Sequence, residues 1–133
     1  MSNSETILSA NTHPGDSTTE TVTGEKYKGD GYYSRSDGFH TIQINLSGFL
    51  GDIEMQGTLA VDPTADDWFT VTLGSGQTID TTGKIVSATT SKLEYTDNET
   101  SSKTYNFTAN YVWIRIYVSN WTDGTVNSIQ LNH

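Results

Sequence analysis

The 133-residue sequence contains no cysteine, which removes disulfide frameworks and thiolate chemistry and leaves the redox compartment unmarked. Basic residues are scarce: seven Lys and Arg stand against sixteen Asp and Glu, a formal charge of −9 that repels nucleic acid and anionic membrane surfaces at long range. No apolar run approaches the roughly 20 residues of a membrane-spanning helix. The opening "MSNSETILSANTHPGDSTTETVTGE" has neither the basic stretch nor the apolar core of a secretory leader. Helical periodicity is also missing, because an apolar row at 3.6 spacing never persists beyond one turn.

Motifs for catalysis are equally absent. There is no GxSxG, no HExxH and no Gly-rich phosphate loop, and His13, His40 and His133 are too far apart to form a local ligand pair. The sequence therefore predicts a non-enzymatic protein with no catalytic residues, no resident metal and no cofactor. One acidic cluster, "DPTADDW", gathers Asp62, Asp66 and Asp67 before Trp68. Three hard oxygen donors suit calcium, but their spacing is not that of a dedicated calcium loop. An Asx-type turn opened by Asp62 and Pro63 is the favoured reading. Four Asn-x-Ser/Thr triplets, at Asn45, Asn98, Asn106 and Asn120, are what a chain rich in Thr and Asn produces by chance.

What the sequence does contain is period-two alternation. In "HTIQINL" Ile42, Ile44 and Leu46 share a face; in "GDIEMQGTLAV" Ile53, Met55, Leu59 and Val61 form a row in which Gly57 marks a bulge or a close approach. "DWFTVTL" places Phe69, Val71 and Leu73 together, and "TYNFTA" does the same for Tyr105 and Phe107. In "TVNSIQLN" the apolar phase slips between Val126 and Ile129, which predicts a β-bulge near Asn127 and Ser128. Turn signals separate the runs at 29–31, 36–38, 47–52, 62–67, 74–76 and 122–124. About eight short strands, each with one apolar face, predict an all-β fold: an antiparallel β-sandwich of jelly-roll type.

Residues 1–24 stand apart from this pattern. They hold no aromatic residue and, as larger aliphatics, only the pair Ile7 and Leu8, too little to offset the entropy of ordering. They predict an extended arm ahead of a β-sandwich domain at 25–133. Such an arm is loose in the free protein and becomes fixed on assembly by lying against a neighbouring subunit, with Ile7 and Leu8 as its anchors.

The stretch "YVWIRIYV" (111–118) sets Val112, Ile114, Ile116 and Val118 on one face and Tyr111, Trp113, Arg115 and Tyr117 on the other. Outward rings beside an arginine have three readings: a cross-strand ladder, over Tyr32, Tyr33 or Tyr95; a protein contact patch, since Trp, Tyr and Arg dominate interfaces; or a platform for sugar rings. Trp113, Arg115 and Tyr117 join Ile7 and Leu8 as candidate partner-binding residues.

Two blocks, "GFLGDIEMQGTLAVDPTADDWFTV" and "YVWIRIYVSNWTDGTVNSIQL", resemble the small jelly-roll modules of virion proteins of tailed phages, especially marine and cyanobacterial ones. They are similar also to the galactose-binding-like superfold, in which an "IxxQGTL" strand, a turn and a Trp precede a "VxIRIxV" strand. The resemblance spans about residues 49–131. It implies a structural or adhesive module, synthesised in a bacterial cytoplasm and carried in a virion. Its partners would be other virion proteins (major capsid, neck or tail subunits), with homo-oligomers as a further option and with neither nucleic acid nor membrane among them. The alternative is a carbohydrate-binding adhesion module of a phage fibre or a bacterial surface, although no basic and aromatic set matches the loops where sugar-binding members place their contacts.

Overall fold

Twenty-residue strands are rare, because the mean strand has five or six residues, yet this chain contains two. In the computed structural model, which describes residues 5–33, 38–79 and 81–132, β5 spans Phe39–Thr58 and β10 spans Trp113–Asn132. They pair antiparallel along their whole length, from Trp113 opposite Thr58 to Asn132 opposite Thr41. On its other side β5 carries β9 (Leu93–Thr108) and, near its end, β6 (Phe69–Val71). Beyond β9 lies the hairpin of β7 (Leu73–Ile79) and β8 (Ile85–Thr90).

The far side of β10 is covered by the chain's own beginning. Four short strands, β1 (Glu5–Leu8), β2 (Asn11–Thr12), β3 (Glu20–Thr23) and β4 (Tyr27–Lys28), follow β10 back from Leu131 to Trp113. Residues 5–28 are thus one interrupted strand, and the arm expected to be loose is the sheet's edge. Ile7 is 2% exposed and Leu8 8%, and both belong to the core cluster. The arm has little apolar surface of its own, but β10 supplies the hydrogen-bonding partners and the apolar slot that order it.

The ten strands among the described residues belong to one antiparallel sheet, where a pair of sheets with jelly-roll winding was expected. A straight strand of twenty residues would measure about 66 Å. Phe39 pairs with Thr108 while Thr58 pairs with Trp113, so the two ends of β5 are joined through a connection that reaches at most about 18 Å. The long strands must therefore double back, and the register shifts locate the folds at 46–51 in β5 and 119–125 in β10.

Those folds coincide with "SGFLGD" and "TDG", which the sequence predicts to be turns between strands. Gly48 (φ 60°), Asn120 (φ 49°) and Gly124 (φ 85°) occupy left-handed backbone there, which bends a strand without ending it. Side chains take over the interrupted ladder. The Thr100 hydroxyl accepts from the Gly48 N–H (2.8 Å) and Asn98 donates to the Gly48 carbonyl (2.8 Å), so both backbone groups of Gly48 keep partners, while the Asn120 side chain donates to the Asp52 carboxylate across the fold (2.7 Å). Rings fill the inside of the fold: Phe49 lies 5.7 Å from Tyr95 and 6.0 Å from Trp121, whose far side meets His13 at 5.7 Å.

The alternation read from the sequence holds along the strands. Ile42, Ile44, Leu46, Ile53, Met55, Ile114, Ile116 and Val118 are buried, and the predicted slip after Val126 is a register shift between Val126 and Ser128. Gly57 is the close approach, since a Cβ there would lie 2.5 Å from the Tyr111 ring. Three residues depart from the expected rows. Leu59 is 69% exposed, Val61 72% and Phe69 65%. Leu59 and Val61 lie past the end of β5, and Phe69 begins β6 opposite Gly57, so the apolar pattern outlasts the sheet that would have covered it.

Candidate functional site

Because β5 and β10 double back, their four ends collect at one end of the molecule together with the 29–33 loop, which is hydrogen-bonded to Tyr111 and Val112. The large exposed apolar side chains among the described residues are Tyr32, Tyr33, Phe39, Leu59, Val61 and Phe69, and every one sits at this end. The opposite end, where the strands fold, presents Asp16, Asp97, Asn98, Asn120 and Asp123. One molecule thus has an apolar, aromatic end and a polar one.

Trp113, Arg115 and Tyr117 share the outer face of the half-sheet running into the apolar end, each half-buried. Trp113 Nε1 donates to the Val61 carbonyl (2.9 Å), its ring lies 5.1 Å from Tyr32, and Lys26 Nζ sits 4.5 Å over it. The Arg115 guanidinium lies 4.2 Å over the Trp68 ring, and its Nε donates to Gln56 Oε1 (2.7 Å). Partial burial pulls the Arg115 pKa below its usual value, in the direction desolvation gives a cation. Lys28 caps Tyr32 at 4.6 Å. The ladder reading accounts for these contacts, with Tyr32 among the rings foreseen for it; Tyr95 packs instead on Phe49. Trp68, Lys26 and Gln56 were not foreseen, because only the sheet register brings them to this face.

The five candidates are not one cluster. Ile7 and Leu8 lie in the core beside the far half of β10, against Ile129–Leu131, and fill their own fold. The histidines serve structure too. His13 Nδ1 accepts from the Gly15 N–H and its Nε2–H donates to the Thr18 carbonyl, both at 3.0 Å. His40 stacks on Phe107 at 4.4 Å, donates from Nδ1 to the Gly38 carbonyl (2.7 Å) and meets Asp30 at 3.8 Å, which ties the base of the apolar end together. His133 lies outside the described residues. In the acidic loop the turn is closed by Asp67, which accepts from the Thr64 N–H (2.7 Å) and hydroxyl (3.1 Å), rather than by Asp62.

Loss of the Trp113 ring should be felt by the fold. Trp113→Ala removes a hydrogen bond, a ring contact and a cation–π contact, and should lower stability by about 1–2 kcal/mol in a thermal melt while leaving the chain folded.

No protein-family model and no curated protein matches this sequence. Its fold is similar to that of the SPBc2 prophage-derived protein YomS, with a TM-score of 0.57 and 14% identity over 98% of this chain and 90% of that one. At that identity the likeness is one of fold, all-β and shared with a protein of prophage origin.

Proposed function

We propose that this chain is a structural component of a phage virion that docks on other virion proteins through its apolar end. The observation carrying the proposal is the gathering of Tyr32, Tyr33, Phe39, Leu59, Val61 and Phe69 at one end of an otherwise polar, acidic surface. Contiguous exposed apolar groups rimmed by polar residues mark interaction sites, and aromatic anchors supply most of the energy of such contacts. Synthesis in a bacterial cytoplasm and residence in the virion belong to the same reading. The jelly-roll kinship drawn from the two sequence blocks stays with it as well.

The rival reading, a carbohydrate-binding module, has one observation in its favour: a cavity of about 310 Å³ lined by Glu5, Lys26, Tyr27, Lys28, Tyr33 and Trp113, which joins rings to hydrogen-bonding groups. A glycan screen separates the two, because specific binding lost in Trp113→Ala belongs to the rival.

Leu59→Asp and Phe69→Asp together test the docking end. Both residues are exposed, so the purified variant should melt within about 1 kcal/mol of wild type. Its incorporation into the parent particle should fall about tenfold or more. Wild-type incorporation would overturn the assignment of this end as the docking surface.

A further inference from the structure

We propose that residues 5–23 exchange between copies of this chain, each copy's segment lying along β10 of a neighbour in place of that neighbour's own. The segment joins the sheet through β10 alone, in three ladder pieces of three, two and three residue pairs. Register shifts fall at Thr6/Leu8 and opposite Val118/Trp121, and the 13–19 loop separates the pieces. A cavity of about 300 Å³, lined by residues of β1 and β3, runs beside it. Short edge ladders interrupted by loops and register shifts open at a small fraction of the global unfolding free energy.

The slot itself fixes the occupant. It takes Ile7 at 2% and Leu8 at 8% exposure, in register with Ile129–Leu131, and the sequence that fits it is this chain's own, so a second copy offers an identical segment. Exchange then replaces the contacts of residues 5–23 by the same contacts between molecules, and its cost falls on residues 24–26, whose new path gives up the hydrogen bond from the Gly24 N–H to the Ile116 carbonyl (2.8 Å) and the Lys26 contact with Trp113. In a dilute monomer the tethered segment wins, because tethering gives it an effective concentration of about 1 mM. Neighbours in an ordered assembly reach comparable concentrations. The exchange does not depend on the docking end, and Phe69→Asp should leave it untouched, so failure of one proposal is read separately from failure of the other.

The absence of native cysteine makes the test direct. Thr6 lies opposite Gln130 and Thr12 opposite Thr125, and directly opposed antiparallel residues have Cα separations of about 4.5–5.5 Å, within disulfide range. Thr6→Cys and Gln130→Cys proteins are mixed, refolded together from denaturant at about 1 mM and oxidised. The mixed disulfide should appear and grow with concentration, while the double variant oxidised when dilute should close within one chain and then contribute no dimer. Should either substitution lower the melting point, the Thr12→Cys and Thr125→Cys pair carries the same measurement. A mixture that cross-links no more than either single variant alone, at every concentration and with both pairs, would overturn exchange.

Discussion

Ile114→Asp should leave the chain unfolded at room temperature. Ile114 is fully enclosed, between Gly57 on β5 and Tyr27 on β4 in the ladder, and a carboxylate there would have neither water nor a cation. An unpaired buried charge costs several kcal/mol against a total stability of about 5–15 kcal/mol, so either the protein unfolds or the group takes up a proton. Thr70→Asp is the control: Thr70 is exposed on β6 and the variant should melt within about 0.5–1 kcal/mol of wild type. The circular dichroism melt of Ile114→Asp should show no cooperative transition near that of Thr70→Asp. Equal melts would mean that the facing of β10 is wrong.

Gly124→Ala should be nearly as damaging, for a backbone reason. Gly124 sits at φ 85° in the fold of β10, and a Cβ there would lie 2.0 Å from the Gly48 carbonyl oxygen in the fold of β5. That neighbour is backbone, so no rotamer change relieves the overlap, and the two folds would have to separate. A loss of about 2–4 kcal/mol is expected in urea unfolding. Gly83 has the same φ of 85° with nothing within 4 Å. Gly83→Ala should therefore lose only the conformational part, about 1 kcal/mol, and the difference between the two isolates the contact between the folds.

Local alternation was legible in the sequence because it needs only the chemistry of neighbouring residues. The rows at Ile42–Leu46 and Ile114–Val118 and the slip after Val126 were readable in this way. The folds were misread because Gly, Asp and Asn supply left-handed backbone both to a turn that ends a strand and to a bend inside one. Only the continuous pairing of β5 with β10 distinguishes them, and it spans more than fifty residues of chain. The same remoteness hid the ordering of residues 5–23, whose partner lies at the other end of the sequence. At the candidate site, the outward face of Trp113 and Arg115 was readable. Leu59, Val61 and Phe69 were assigned to the interior because an apolar pattern does not announce where its covering sheet ends, and these residues form much of the apolar end.

Quantitative mass spectrometry of purified parent particles tests the central claim most directly. The chain should be present at a fixed copy number per particle, retained through salt washes and gradient purification. Its absence from clean particles that contain their capsid and tail proteins would contradict the account.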